Sequence, residues 1–479
     1  MNIALIMLVT YLVLTTAVSL YFTKKSSTST KQYFVADRSL GTIVVVALLF
    51  SEIIAGSGTV GNAATAFTTG FSSVWANWGM AVGCVIFIPL VSKFYRAMAV
   101  SRNVMSIPQA YEHMFDKRCK TVMIAIVVVV YVILYSSQAV AAAGIIAPLL
   151  GVDSNTVVWV VTGLFILTTI TGGMGGIAWM NVFHSAVMYV GMAIVAFKAL
   201  STAGGMEVLT STLPAKHFDF TYPSLATTIA SALGTGLSFL ASSNVTNSTF
   251  SAKSRKAANR GIIIAGLIVI PFALFPALIG ICAKVVMPDI APNSALFSMA
   301  NSMGGVYGGL VSMAIIAAIW STAPALLIVI CTTMTKDFYV GFMKPDATEA
   351  QQMRFSRIVA VVLGIVGSAL GLRAAYILSQ MLGAFQIRSV VGIVLAVAVF
   401  WPRVTSNAAF WSLLFGGIVA AVWQFGGQPF GIAPLWPASA VTLIILIPMT
   451  LMSKEKVSPG YRKYQEALKD MYEEEANEG

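Results

Sequence analysis

The sequence predicts an all-α polytopic membrane protein with about 13 transmembrane helices, and three observations predict it. Of 479 residues, 58% are hydrophobic and only 10% charged, with a mean hydropathy of +0.85. Soluble domains do not have this composition. The apolar runs are about 20 residues long rather than short and alternating, which excludes a β-barrel. A lone carboxylate, Glu52, also sits inside the glycine-rich apolar segment VVVALLFSEIIAGSGTVGNAATAF. A carboxylate at that depth needs a partner, a water-filled cavity or a ligand.

Apolar windows place the helices at about 3–22, 41–68, 73–95, 121–149, 155–171, 177–203, 222–247, 258–285, 305–335, 354–372, 376–401, 406–425 and 434–452. The first, MNIALIMLVTYLVLTTAVSLYF, lacks a basic leading region and a small-residue cleavage site, so it reads as a retained span. In the second, Gly56, Gly58 and Gly61 weaken the helix just after Glu52. Broken helices survive in membranes where they line a cavity or bind a ligand, so this segment reads as a solute path. Between the fifth and sixth, GGMGGIAW lacks the strand-and-helix context of a nucleotide loop, and its glycines form a tight turn. The seventh, PSLATTIASALGTGLSFLASSNVTN, is predicted to break at Gly234 and Gly236 before a polar run. The ninth contains Pro324, which could free a backbone carbonyl. The eleventh carries the other deep charge, Arg388. The tail YRKYQEALKDMYEEEANEG reads as a soluble, charged, frayed helix.

Charge tests the count. With the N-terminus outside, the inner loops hold Lys24, Lys25, Lys31 and Arg38, then Lys93, Arg96, Arg102, Lys117, Arg118 and Lys120. Later inner loops hold Lys253, Arg255, Lys256, Arg260, Lys336, Lys344, Arg354, Arg357, Arg403, Lys454 and Lys456. The outer loops keep Lys216 and Arg373. The positive-inside rule therefore predicts a multi-pass protein of a bacterial-type cytoplasmic membrane, N-terminus out and C-terminus in. The net charge of +11 follows from those loops, and basic residues so scattered give no support to nucleic-acid binding.

The two weakened helices begin five spans apart. An odd offset inverts the second unit relative to the first, which is the signature of an inverted-repeat transporter. The expected division is an N-terminal helix and inner loop (1–35), a first repeat (36–205), a second repeat (206–402), and C-terminal spans with a tail (403–479). Cys84, Cys119, Cys282 and Cys331 lack CxxC spacing and read as free thiols, three in apolar spans and Cys119 in a basic loop. His113, His184 and His217 lack metal-ligand spacing, and His184 reads as a satisfied interior histidine. No nucleophile elbow, P-loop or paired catalytic carboxylate is present, so the chain does not read as an enzyme.

The residues expected to contact solute are Glu52, Ile53 and Gly56 at the first break, and Thr235, Ser238, Phe239 and Ser242 at the second. Ser243 and Asn244 extend that polar run, and Asn77 is expected to join it. Arg388 cannot readily lose its proton and so requires an anion or water. A solute carboxylate, a salt bridge to Glu52 or a helix C-terminus, and snorkelling toward the inner face are its readings. Gln386, on another face, could reach the same cavity.

Four stretches, in order, resemble the sodium/solute symporter family. They are YFVADRSLG (33–41), TGGMGGIAWMNVFH (171–184), SAKSRKAANRG (251–261) and IWSTAPALLIVICTTMTKDFY (319–339). The resemblance implies the inverted-repeat, LeuT-type fold and sodium-coupled symport. It implies a sodium ion between core helices one and eight, held by backbone carbonyls of Val46, Leu49 and Ala318 and by the hydroxyls of Ser321 and Thr322. The spacing is independently sensible, because residues 318, 321 and 322 share a helix face and sodium favours oxygen ligands. Alternatively, these two hydroxyls merely bond back to their own helix. The chain departs from the family at Asn181, where many members have Asp on an ion exit path, and at His184, where they have Gln. Asn247–Ser248 replaces a Gln-Arg pair, and the aromatic gate is altered at Ser238–Phe239.

The expectation is thus a sodium-coupled importer of a small polar organic solute, with a tilt toward a carboxylate or amino-acid-like solute from Arg388. A proton-coupled or uncoupled carrier acting through Glu52 or His184 is the alternative, and a transporter-like membrane sensor is another.

Overall fold

The computed structural model describes residues 3–26, 29–373 and 377–477, without the side chains of 19–26, 52, 57, 244, 377–382 and 477. The chain opens with α1 (Ile3–Ser26) and the short α2 (Thr30–Val35), where the Ser29 hydroxyl accepts the Gln32 amide N–H. A turn at Ala36–Arg38 leads into α3 (Thr42–Gly56). Helical geometry fails at Ala55, with φ 40° and ψ −171°. Ser57–Gly61 then winds as a π-turn into α4 (Asn62–Thr69). α5 (Trp75–Phe87) and α6 (Lys93–Arg102) form one span through a π segment at Ile88–Ser92. α7 (Ile107–Met114) and α8 (Lys117–Leu150) start at Ser106 and Asp116, whose side chains accept backbone N–H groups as N-caps should.

α9 (Ser154–Thr202) is two spans in one. At about 1.5 Å per residue its 49 residues would run far beyond a bilayer, and the helix breaks at Gly173, with φ 52° and ψ −171°. Only glycine adopts that conformation cheaply. After α10 (Gly205–Thr212) comes the second broken pair, α11 (Leu225–Phe239) and α12 (Ser243–Ser251). The remaining elements are α13 (Arg255–Val286), α14 (Ala295–Ser302), α15 (Gly305–Thr332), α16 (Glu349–Leu372), α17 (Ile377–Phe400), α18 (Ser406–Phe425), α19 (Leu435–Leu451) and α20 (Pro459–Asn477). α15 continues in π geometry from Thr333 to Met343.

Among the described residues, eight helices are long and apolar enough to cross a membrane, and four shorter ones are apolar. Counting the halves of α9 separately, and each broken pair once, gives the thirteen expected spans among the described residues. α15 is the axis of the bundle. It packs on α9, α8, α3, α1 and α16, and every residue from Ala314 to Thr333 is buried. A helix apolar on all sides belongs at such a centre.

Three expectations are corrected. The second break does not lie at Gly234 and Gly236, which sit inside α11; it lies at Leu240–Ser242. Those glycines serve packing instead. A Cβ on Gly79 of α5 would stand 1.9 Å from Thr235 Oγ1, and one on Gly236 would stand 3.2 Å from the Gly79 carbonyl oxygen. Small residues let the α5 and α11 backbones approach closely, as membrane helices commonly require. Cys119 does not lie in an open loop, because α8 begins at Lys117 and buries it; all four cysteines are buried and free. The tail is not frayed. α20 packs against α6 and α7 and buries Tyr464, Ala467 and Met471.

Candidate functional site

Three helices converge at the first break. The Thr322 hydroxyl donates to the Ala318 carbonyl at 2.8 Å and also stands 3.3 Å from the Ser51 carbonyl of α3. The Ser321 hydroxyl makes the same pair of approaches, at 2.9 and 3.3 Å. From α9, the Asn181 side-chain amide donates to the Ser321 carbonyl at 3.4 Å, and Ser185 donates to the Ala47 carbonyl at 3.0 Å. Asn181 is fully buried, and its Oδ1 has no partner among the described residues.

Two carbonyls and two hydroxyl oxygens therefore meet where α3 is about to break, with the Asn181 amide beside them on the Ser321 carbonyl. The 3.3 Å approaches are long for hydroxyl donors, and each hydroxyl can rotate its hydrogen away. Such a set of hard oxygens could hold a monovalent cation. Ser321 and Thr322 both bond back to the Ala318 carbonyl of their own helix, as the alternative reading has it, and both also face the Ser51 carbonyl. The expected carbonyls of Val46 and Leu49 lie within the regular part of α3, and the carbonyl that both hydroxyls reach is that of Ser51, which sequence reasoning missed.

Other expected residues support the first break. Asn77 donates its amide to the Gly58 carbonyl in the π-turn at 3.1 Å, and it shares a cavity with Thr235 of α11. Gly56 faces α15 and α8, since a Cβ there would stand 3.6 Å from Ile319 and 3.7 Å from Ala141. Ile53 is buried apolar packing. The Glu52 side chain lies outside the described ones, and so does that of Asn244.

The second break is held by Arg388. Its Nε donates to Ser238 Oγ at 2.8 Å and its Nη1 to the Tyr131 hydroxyl at 3.1 Å. That hydroxyl also accepts the Ser243 amide at 2.6 Å, and the Tyr95 hydroxyl donates to the Leu240 carbonyl at 3.1 Å. The break thus finds side-chain partners for backbone groups that a helix would satisfy. Arg388 is 5% exposed and bonded inward, which removes the snorkelling reading. Gln386 diverges from it, because its Oε1 accepts the Leu435 amide at the start of α19. Ser242 is buried at the start of α12, and Phe239 packs onto Gly83 of α5. Thr235 bonds back to the Ser231 carbonyl at 2.7 Å. His184 is satisfied by the Tyr11 hydroxyl. Tyr95 and Tyr131 gave no signal in the sequence, since a tyrosine in an apolar span looks like packing.

At one end of the bundle the two broken pairs are sewn together. Leu40 donates to the Ser251 carbonyl at 3.0 Å, Lys253 donates back to the Leu40 carbonyl at 2.9 Å, and Arg96 donates to the Ala252 carbonyl at 2.9 Å. Toward the other end lies a cavity of about 270 Å³ between α4, α5 and α11, reaching from Tyr222 down to Asn77 and Thr235. Beside its mouth Asp219 is held below the usual carboxylate range by the Thr221 hydroxyl and amide. His217, in the same loop, is pushed below the usual imidazole range by burial.

Known proteins agree with this geometry. The profile described as Sodium:solute symporter family matches residues 33–416. The sodium/proline symporter of Haemophilus influenzae is 24% identical over 468 residues, covering 91% of each chain. The sodium/pantothenate symporter of Escherichia coli is 25% identical over 464 residues, covering 92% of this chain and 94% of its own. A solved Na+-coupled sialic acid symporter, in a substrate-bound outward-open state, superposes with a TM-score of 0.78 at 18% identity, covering 95% of this chain and 98% of its own. With the profile matching most of its length, two broken helices and an all-helical bundle around them, the chain belongs to the sodium:solute symporter family.

Proposed function

We propose that the protein imports a small polar organic solute driven by sodium, one ion of which sits between α3 and α15. Symport coupled to sodium is the family's activity. The observation that carries the finer reading is the convergence of the Ser321 and Thr322 hydroxyls on the Ser51 carbonyl beside the break at Ala55. A cation there ties α3 to α15 and favours the arrangement in which they are close. Asn181, reaching Ser321 from α9, flanks the route by which the ion leaves. An oxygen-only ligand set favours sodium over a proton, and His184 is engaged with Tyr11, which speaks against it as a proton carrier.

Orientation follows from the basic loops, with the N-terminus outside. In that orientation the Leu40–Ala252 seam closes the cytoplasmic end and the Tyr222 cavity faces out. The two repeats, 36–205 and 206–402, then rock about the central site. The electrical part of the drive is about 2.3 kcal/mol per charge per 100 mV. Arg388 spends two of its five N–H donors on the neutral hydroxyls of Ser238 and Tyr131.

Replacing sodium by choline in proteoliposomes should abolish uptake. Thr322→Ala and Ser321→Ala should each raise the half-saturating sodium concentration about tenfold, and Thr322→Ser should restore most of it. Uptake indifferent to choline would remove the coupling, and unchanged sodium dependence in both variants would move the ion elsewhere.

A further inference from the structure

The cavity below Tyr222 has a chemical character that neither broken helix predicts. Among the described residues lining it, none is acidic, basic or histidine. Its polar side chains are hydroxyls and amides, with Trp75, Tyr222 and Phe385 as aromatic walls and Ala76, Met80 and Pro223 as further apolar lining.

Five of the hydroxyls are polarised in one sense. Thr65 donates to the Gly61 carbonyl at 2.9 Å, Thr69 to the Thr65 carbonyl at 2.9 Å, and Thr228 to the Ser224 carbonyl at 3.2 Å. Thr235 likewise donates to Ser231, and Ser73 donates to Asn62 Oδ1 at 2.7 Å. A hydroxyl has one hydrogen and two lone pairs, so each of these has spent its only donor and keeps an acceptor. Trp75 Nε1 is spent on the Phe220 carbonyl at 2.9 Å, and Asn77 gives one of its two amide hydrogens to the Gly58 carbonyl at 3.1 Å. Among these groups lone pairs outnumber free hydrogens, and the described lining holds no cation. A carboxylate there would meet no counter-charge, after losing its water. A solute bearing several O–H or N–H donors would find partners on α4, α5 and α11 together, with aromatic faces for its carbon skeleton.

We propose that this cavity is an acceptor-lined receiving site which admits uncharged, donor-rich solutes of the polyol or amide kind and excludes carboxylates. The proposal rests on the transport reading above and assigns its solute class. Selection at this site is a difference of affinities, made by what the walls lack as much as by what they offer.

The test is a thermal-shift measurement on the full chain in detergent. Mannitol, myo-inositol and acetamide represent the proposed class, lactate and proline the carboxylates, each in sodium and in choline. A polyol or the amide should raise the melting temperature in sodium while the carboxylates do not; which of the two responds distinguishes hydroxyl from amide donors. Thr65→Val and Thr228→Val preserve shape while removing an acceptor oxygen. Each should raise the half-saturating concentration of the responding probe about tenfold. A sodium-induced shift retained in both variants shows that they are folded. Stabilisation by lactate or proline alone, silence of every probe, or wild-type probe affinity in both variants overturns the assignment. A polyol or amide response equal in sodium and choline keeps the solute class but removes sodium coupling, so the two readings fail separately.

Discussion

Arg388 shows how a residue's role depends on its partners. As a lone guanidinium in an apolar helix it asks for an anion, yet it is bonded to two neutral hydroxyls that also order the second break. Removing its charge should therefore disturb the break as well as any solute. The cycle of Arg388→Gln, Tyr131→Phe and the double variant should show a coupling of about 0.5–3 kcal/mol in stability. Additive unfolding free energies would mean that the two groups do not support the break together. His217 gives a prediction with a definite sign. Burial, then the charges of Lys216 and Lys284, depress its pKa, while the Pro214 carbonyl opposes them. The folded state thus binds its proton less readily than the unfolded chain, whose imidazole titrates near about 6.5. Stability from this group is complete above that value and falls as pH drops through it toward the folded pKa. Melting temperature should fall between about pH 7.5 and 5.5, and His217→Gln should flatten part of that fall. An unchanged slope in the variant would clear His217 of the effect.

Among the elements, the two broken helices differ in what breaks them. α3 fails at Ala55, with glycines next to it, and the sequence reading lay one residue away. α11 keeps Gly234 and Gly236 in a regular helix and fails later, where tyrosines and an arginine from α6, α8 and α17 supply partners. Composition cannot separate a glycine that weakens a helix from one that lets a neighbour approach. The distinction lies in the neighbour's position. Gly79 marks such an approach: besides Thr235 Oγ1 at 1.9 Å, its added Cβ would stand 2.8 Å from the Ala232 carbonyl oxygen. Backbone cannot yield as a side chain end can. Gly79→Ala should destabilise by about 1–3 kcal/mol, read as a lower unfolding temperature in detergent. A neutral result would mean that α5 and α11 separate freely.

At the scale of the molecule, α20 ties the tail to the basic end of the bundle. Arg255, at the start of α13, makes a bidentate pair with Glu475 at 2.9 Å, and Arg102 pairs with Glu466 at 3.2 Å. Under them lie Tyr464, Ala467 and Met471, a buried stripe. The pairs are partly exposed, so each adds at most about 1 kcal/mol and is screened by salt, and the stripe does more to hold the helix. Glu475→Gln should therefore loosen the tail slightly, whereas Met471→Asp should release it. Limited proteolysis of the tail reads both, and equal protection in the two variants would show that α20 is held by something else.

The sequence alone determined the class, the number of spans and the first break. These follow from local quantities: hydropathy over about 20 residues, glycine content and spacing along one helix. It also carried the family, through motifs quoted residue by residue. Tertiary structure alone decided where α11 breaks, that Asn77 serves the first break, that Ser51 supplies the shared carbonyl, and that Arg388 and Gln386 part company. Each of those rests on which group of a distant helix arrives within about 3 Å of an unsatisfied one. In a membrane every such backbone group must find a partner. The chain states that need locally, but the partner that meets it is fixed only when the helices have packed.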